Sequence, residues 1–245
     1  MATSGTTTFN LAIDDIVEEA YERCGAMSRS GYDLASARRS LNILFTEWGN
    51  RGVHLWEVKS NESNLVEGTD AYDAPAGTQA ILESWYRNSS TSTTNPTDTA
   101  LTKIDRSAYA NLANKLSKGT PSQYYVDMVG QTGGAVSPTV PQIYVYQTAD
   151  SGHSSTTTPT NHKLMYYYVA RLQDAGVYTN NADVVYKFIA PMCSGLAFYL
   201  SQKIAPEKTD ALRLYYEDEL ARALKEDGER TSSFITPQAY YPSIT

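Results

Sequence analysis

The sequence is poor in the residues that carry disulfide and metal chemistry. Its 245 residues include two cysteines, Cys24 and Cys193, and three histidines, His54, His153 and His162. A disulfide framework needs more cysteines in a shorter chain. Both cysteines lie in apolar segments with helical spacing, so we expect buried, reduced thiols. The histidines have no clustered partners in the sequence, so we expect no metal site.

Positive charge is also scarce. The chain carries 20 Lys and Arg against 27 Asp and Glu, which gives a net charge of -7. Tight nonspecific binding of duplex DNA needs many cations, so the acidic charge argues against it, although it does not exclude DNA sliding past an acidic surface. Arg38 and Arg39 form the only adjacent arginine pair. The pair suits a phosphate or an acidic partner, but a solvated helix face is the simpler interpretation.

Long apolar runs are missing as well. No segment contains the roughly 18 consecutive apolar residues of a membrane-spanning helix. Residues 1–10 are rich in threonine and lack the basic and apolar regions of a signal peptide. We therefore expect a protein that is made in the cytoplasm and has no membrane partner.

The motifs that mark common enzymes are not found. The sequence has no GxSxG, no GxxxxGKS or GxxxxGKT, and no GxGxxG. Ser194 follows Cys193 inside an apolar helical segment, which is the wrong setting for a nucleophile. Acid pairs such as Glu18 and Glu19 fall on amphipathic helices, where a solvated face explains them. The sequence therefore predicts no enzymatic activity and no cofactor.

Tyrosine is abundant, with 19 Tyr against 5 Phe and 3 Trp. A tyrosine combines a large ring with a hydroxyl, so it suits a surface that is exposed at one stage and buried later. Half-exposed β-strands explain the same composition equally well. Both interpretations stay open.

Four segments have the apolar spacing of amphipathic or buried helices. The first ends at Gly25, the second begins with Asp33 as its N-cap, and the third begins near Asp183 and contains Pro191, which we expect to interrupt it. The fourth opens at Pro206. The segments cover about 11–24, 33–49, 183–199 and 206–228.

The middle of the chain is predicted to be rich in β-strands, with candidates at 54–60, 80–86, 122–129, 142–147 and 162–171. A short helix fits 107–116, capped by Asp105 or Ser107. Two stretches rich in Ser, Thr, Pro and Gly, 88–99 and 150–161, are typical of long hairpin tips or loops.

This organisation predicts an α+β fold. The helix pair in residues 1–52 and the pair in 183–230 cannot bury their apolar stripes alone, so we expect them to form a four-helix bundle. Residues 53–182 are then an inserted β-rich domain. Residues 231–245 have no helical period and are predicted to form an extended, aromatic tail.

Four stretches, taken in order, resemble one family of phage structural proteins. They are SARRSLNILFTEW at 36–48, VEGTDAYDAP at 66–75, LTKIDRSAYANLANKLSKGTPSQYYVD at 101–127, and 166–206 with RLQDAG at 171–176. In this order they are similar to the head-to-tail adaptors, or connectors, of short-tailed phages, the group that includes tail tubular protein A. The similarity covers nearly the whole chain. Ala74 departs from the pattern, since leucine is expected before Pro75, and the Ser/Thr-rich loops differ in length.

The resemblance implies a helical bundle with an inserted β domain and a homo-oligomeric ring, commonly a dodecamer, in the neck of the virion. The portal protein would lie above the ring, the tail nozzle or tube protein below it, and double-stranded DNA would pass through its lumen without specific binding. The extended C-terminal tail would dock on the portal.

Two sets of residues follow as candidate sites. Aromatic and large apolar anchors carry most interface energy, so we expect the tail to bind the portal through Phe234, Ile235, Tyr240 and Tyr241. An acidic helix face repels DNA phosphates, so we expect the first or the fourth helix to line the channel. The candidates on the first helix are Asp14, Asp15, Glu18, Glu19 and Glu22.

Three other functions remain open. The protein could be another tail-tube or nozzle subunit. It could be a carbohydrate-binding module that stacks sugars on Trp56, Trp85 and tyrosines. A cell-wall hydrolase is the third, and it predicts turnover of peptidoglycan.

Overall fold

The computed structural model describes residues 5, 11–27, 31–53, 57–89, 95–128, 140–154, 162–177 and 179–227. The fold is α+β, as predicted. The helices are α1 Ile13–Cys24, α2 Gly31–Asn50, α3 Arg106–Asn111, α4 Ile189–Ile204 and α5 Thr209–Asp227. The strands are β1 Val58–Asn64, β2 Ala71–Asp73, β3 Thr78–Asn88, β4 Thr97–Ala100, β5 Thr102–Lys103, β6 Lys118–Gly119, β7 Gln123–Asp127, β8 Gln142–Tyr146, β9 Thr148–Ala149 and β10 His162–Ala170.

Helix α1 follows its sequence pattern closely. The backbone N–H of Ala12, the N-cap, donates to Asp15 Oδ2 at 3.2 Å, which satisfies one group at the helix start. At the other end Gly25 adopts a φ of 77° and its N–H donates to the Glu22 carbonyl, so the predicted stop is confirmed. The buried face consists of Ile13, Ile16, Val17, Ala20, Tyr21 and Cys24.

Two helix starts differ from the prediction. Helix α2 begins at Gly31, so Asp33 lies in its first turn and is not the N-cap. Helix α4 begins at Ile189 after a single 3-10 turn, Tyr186–Phe188, and not near Asp183. Pro191 is then the third residue of α4, where a backbone N–H has no acceptor within the helix, so the expected interruption was wrong.

The four long helices share one apolar core, and α4 packs against the other three. Helix α2 runs antiparallel to α4. Lys203 contacts Ser40 at one end of this pair, and Trp48 packs edge-on against Phe188 at the other with ring centroids 5.7 Å apart. Both cysteines are buried in this core and free, as predicted. Burial raises the pKa of the Cys193 thiol to about 11, so it is protonated at neutral pH.

The strands form two four-stranded sheets and one short ladder. The first sheet has the order β1-β10-β3-β4 and is antiparallel throughout. The second has the order β2-β8-β7-β5, in which β5 and β7 are parallel. Strands β6 and β9 form a parallel two-stranded ladder. Strands β3 and β4 pair antiparallel, so residues 88 and 97–99 of the stretch predicted as a long hairpin tip or loop lie in strands.

A second apolar core contains residues of both four-stranded sheets, so their inner faces cover each other. The first sheet contributes Leu164 and Tyr166, and the second contributes Tyr124, Ile143 and Val145. Within the part of the chain that the structure describes, no helix is long and apolar enough to cross a membrane.

Candidate functional site

The acidic side chains of α1 lie opposite its buried face. Asp14, Asp15, Glu18 and Glu22 are exposed, and Glu19 is partly covered. Glu19 also forms an ion pair with Arg23, because its Oε1 lies 2.8 Å from Arg23 Nε. These five residues form one outward-facing acidic arc, and its role as a channel lining stays a prediction.

Beside the acidic arc, a polar chain ties α1 to the two last helices. Arg23 Nη1 donates to Ser194 Oγ at 2.6 Å, and the Ser194 hydroxyl donates to the Glu219 carboxylate. A cleft of about 490 Å³ lies next to this chain. It is lined in part by Tyr186, whose side chain is 72% exposed. An exposed aromatic ring at a cleft is typical of a contact surface.

A second polar chain ties α2 to α5. The indole N–H of Trp48 donates to the Tyr216 hydroxyl at 3.0 Å, and that hydroxyl donates to Glu47 Oε2 at 2.7 Å. Burial, with Glu47 beside it, raises the pKa of Tyr216 far above its ordinary value. Arg51 binds both carboxylate oxygens of Glu217 at 2.7 and 2.8 Å, and this bond lowers the pKa of Glu217. The helices from the two ends of the chain are thus joined by hydrogen bonds as well as by their core.

The first sheet carries an aromatic groove of about 680 Å³. Trp85 and Tyr167 lie side by side in it, with ring centroids 4.9 Å apart. Leu82 and Tyr167 are 45% and 43% exposed. The β-bulge between Tyr167 and Tyr168 leaves Leu82 without a partner in the β10 register.

The same groove borders an open strand edge. Strand β4 pairs with β3 only from Trp85 onward, so residues 78–83 pair with no described strand on that side, although β5 lies in contact with β3. Two side chains satisfy the carbonyls there: Lys103 Nζ donates to Ile81 O at 2.9 Å, and the Tyr124 hydroxyl donates to Leu82 O at 3.3 Å. An exposed edge next to aromatic rings is suited to protein contacts.

A tyrosine cluster on the outer face of the second sheet is used within the fold. The rings of Tyr109, Tyr125 and Tyr144 lie 5.2 to 5.9 Å apart. Helix α3 brings Tyr109 to the sheet and is capped by Asp105, whose Oδ1 accepts from Ala108 N at 2.6 Å. Burial raises the pKa of Tyr109 to about 12. This cluster is packed within the fold while Tyr186 is exposed, and a role of tyrosines in interfaces stays a prediction.

Two histidines that are isolated in the sequence meet in the structure. The rings of His153 and His162 lie 6.0 Å apart. Tyr86 Oη shares a hydrogen bond of 2.5 Å with His162 Nδ1, and His153 Nδ1 lies 2.7 Å from Asp150 Oδ1. Asp150 also accepts from the Gly152 N–H at 2.8 Å, which makes it the cap of a tight turn. Burial lowers the pKa of His162, so this ring is neutral at pH 7.

An acidic pair lies where the chain passes between helices and sheets. Glu57, just before β1, is 1% exposed, and its Oε2 lies 2.7 Å from Lys59 Nζ. Burial raises the pKa of Glu57, and the neighbouring Asp183 carboxylate raises it further. The bond to Lys59 lowers the same pKa but does not outweigh burial. Among the described residues no group of three or more His, Cys, Asp or Glu side chains could hold a metal ion.

Several predicted residues lie outside the described part of the chain. They are the tail anchors Phe234, Ile235, Tyr240 and Tyr241, together with His54 and Trp56. No protein-family model matches this sequence, and no curated protein is significantly similar to it. Its function must therefore be inferred from the sequence pattern and from the surfaces above.

Proposed function

We propose that this protein is a structural component of a virion: a ring-forming head-to-tail adaptor that links the capsid portal to the tail and encloses part of the DNA channel. In this proposal α1, α2, α4 and α5 form a four-helix bundle from residues 1–52 and 183–230. Residues 53–182 are its inserted β-rich domain, and residues 231–245 are the portal-docking tail.

The main support is that helices from both ends of the chain bury their apolar faces in one core, while the sheets come from the residues between them. The bonds from Trp48 to Tyr216 and from Arg51 to Glu217 join the same two helix pairs. This agrees with the architecture that the resemblance implies.

The surfaces support assembly into a ring. A closed ring is built from heterologous contacts, so each subunit must present two different faces. The aromatic groove with Trp85 and Tyr167 offers one. The exposed Tyr186, Leu214 and Tyr215 on the helical side offer the other. The acidic arc of α1 suits a lumen through which DNA must slide.

Mass photometry of the purified chain, alone and mixed with the cognate portal ring, tests the proposal. Each subunit has a mass of 27.0 kDa. The adaptor function requires either a ring of such subunits or their conversion from monomers into a portal-bound ring. A protein that stays monomeric and does not bind the portal at micromolar concentration would overturn the proposal.

A carbohydrate-binding module is a second candidate, because the groove places Trp85 beside Tyr167 in the way that sugar-stacking sites do. It predicts a monomer that binds glycans and loses binding on Trp85→Ala. Calorimetry with soluble oligosaccharides separates the two candidates, since an adaptor shows no heat of binding.

A further inference from the structure

Two cations from α2 and α4 meet on the helical surface. Lys203 Nζ donates to Ser40 Oγ at 2.7 Å and to Ser36 Oγ at 3.1 Å. Ser40 is 1% exposed, and its hydroxyl donates to the Ser36 carbonyl at 3.1 Å. A buried hydroxyl therefore holds the ammonium group in place while the side chain of Lys203 stays exposed.

Arg39 adds a second positive charge at the same place. It precedes Ser40 on α2 and is exposed. Arg39 follows Ser36 by three residues, which places it on the side of α2 that carries Ser36, and Lys203 contacts that serine. Burial lowers the pKa of Lys203, and repulsion from Arg39 is a smaller cause in the same direction. Arg38, the other member of the arginine pair, donates instead to the Gly176 carbonyl at 3.3 Å.

Within the described part of the chain the two cations have no acidic partner, although the chain is acidic overall. Neither Arg39 nor Lys203 is within 4.0 Å of a carboxylate in the described residues. Most other described cations are, for example Arg23, Arg51, Lys59, Arg87, Lys118, Lys163 and Arg222. Two like charges held together without a counter-charge cost free energy, which a bound anion would return.

We propose that Arg39, Lys203 and Ser36 form a binding site for one phosphate group. A guanidinium can donate two parallel hydrogen bonds to a phosphate, an ammonium binds as a point charge, and a hydroxyl can donate a further bond. Donors of this kind suit the tetrahedral oxygens of a phosphate, four in free phosphate and two in a DNA backbone, better than the two coplanar oxygens of a carboxylate. The phosphate is either free in solution or part of a DNA backbone.

The DNA source rests on the proposed function, but the site itself does not. In an adaptor ring every copy would repeat the site, so DNA in the lumen would meet a circle of single phosphate contacts. One contact per copy would guide DNA without holding it, because each contact adds only a small, salt-dependent attraction.

The first experiment titrates inorganic phosphate into the full chain at pH 7 and constant ionic strength, and follows the melting temperature and the phosphorus NMR line width. Arg39→Gln and Lys203→Gln each remove one cation. Lys225→Gln is the matched control, because Lys225 is an exposed cation on another helix. Sodium acetate at the same concentration tests the preference for phosphate.

We expect phosphate to raise the melting temperature of the wild type and of Lys225→Gln. Each site variant should bind phosphate about tenfold more weakly, as expected from one lost charge-assisted hydrogen bond. The proposed site would be overturned if phosphate raised the melting temperature equally in all variants or did not raise that of the wild type. It would also be overturned if acetate raised the melting temperature as much as phosphate does. Both site variants change exposed side chains, and circular dichroism checks that they fold.

The second experiment measures binding of a short DNA duplex by fluorescence anisotropy over a range of salt concentrations. If the site holds backbone phosphate, each variant lowers the slope of log K against log salt by about 0.9. If the variants lose inorganic phosphate but bind DNA like the wild type, the site takes free phosphate. Either result is independent of ring formation, which mass photometry reports.

Discussion

At the scale of single residues, Gly195 is the point where three helices come closest. A Cβ atom at this position would lie 2.9 Å from both Leu44 methyl carbons and from Tyr216 Cε2. All of these neighbours are buried, so none can move into solvent. Gly195→Ala should therefore lower the free energy of unfolding by about 1–3 kcal/mol, the usual cost of overpacking, as measured by urea denaturation.

Gly49→Ala is the matched control for that substitution. Gly49 also lies inside a helix, but the nearest atom to its Cβ would be Gln79 Nε2 at 3.5 Å, an ordinary contact. Alanine favours a helix by up to about 1 kcal/mol over glycine, so this variant should be neutral or more stable. Equal destabilisation of both variants would show that the crossing at Gly195 is not tightly packed.

His162 makes stability depend on pH below neutrality. Its ring is buried against Tyr86, and burial lowers its pKa below the ordinary 6.5, with repulsion from His153 as a smaller cause. Its neutral form is favoured by folding. The stability is therefore full above about pH 6.5 and is lost as pH falls through the lowered pKa. Melting temperatures between pH 5 and 8 should fall more steeply towards acid for the wild type than for His162→Asn.

Glu57 makes stability depend on pH in the opposite direction, because its contribution falls as pH rises. Its raised pKa means that the folded state favours the protonated carboxyl. Its contribution is therefore present below the unfolded pKa of about 4.5 and is lost as pH rises through the raised value. Glu57→Gln, which keeps the shape and removes the charge, should be more stable than the wild type at pH 8. A less stable variant would mean that the ion pair with Lys59 outweighs burial.

At the scale of elements, local pattern predicted most of the helices. The spacing of Ile13, Ile16 and Val17 and the stop at Gly25 place α1 within two residues. The start of α4 was missed because Val184 and Val185 are apolar and fit the helical spacing, yet an extended Val185 and a 3-10 turn precede the helix. Tertiary contacts of Asp183 with Glu57 compete there with helix propensity.

Contacts between residues far apart in the chain could not be predicted from the sequence. Short strands such as β5 and β9, of two residues each, have no periodicity to recognise. The pairing of His153 with His162 depends on a loop and a strand meeting, and that of Arg39 with Lys203 depends on antiparallel packing of α2 and α4. The arginine pair was visible in the sequence, but its neighbour 164 positions away was not.

The C-terminal tail is the element that the proposed function most depends on. Deleting residues 231–245 should abolish attachment to the portal, and the proposal requires that the fold stays intact, with an unchanged melting temperature. Replacing Phe234 or Tyr241 by Ala should weaken attachment by about 30-fold, as for an interface anchor worth about 2 kcal/mol. Pull-down on immobilised portal measures both.

Ser232→Ala with Ser233→Ala is the control for the tail. These positions change no aromatic or large apolar group, so attachment should stay at the wild-type level. If the deletion variant still binds the portal, another surface must dock, and the aromatic groove with Trp85 becomes the first candidate.

At the scale of the whole molecule, the distribution of charge matters more than its sum. The acidic arc can influence DNA only where it lies within about 10 Å of the phosphates, the screening length in 0.1 M salt. Asp14→Lys with Glu18→Lys should therefore make the assembled ring hold duplex DNA more tightly, if α1 lines the channel. Each substitution changes the charge by two, so the net charge moves from -7 to -3.

The control has the same net charge in another place. Glu207→Lys with Asp210→Lys also gives -3, and both residues are exposed at the start of the last helical segment. DNA retention by rings, measured as the dissociation rate of a labelled duplex in 0.05 and 0.5 M salt, should slow only for the α1 variant and only at low salt. Equal slowing in both variants would mean that bulk charge acts on the DNA and that α1 faces away from it. A lumen lined by α1 requires both the difference between the variants and its loss at high salt, because screening at 0.5 M confines the interaction to less than about 5 Å.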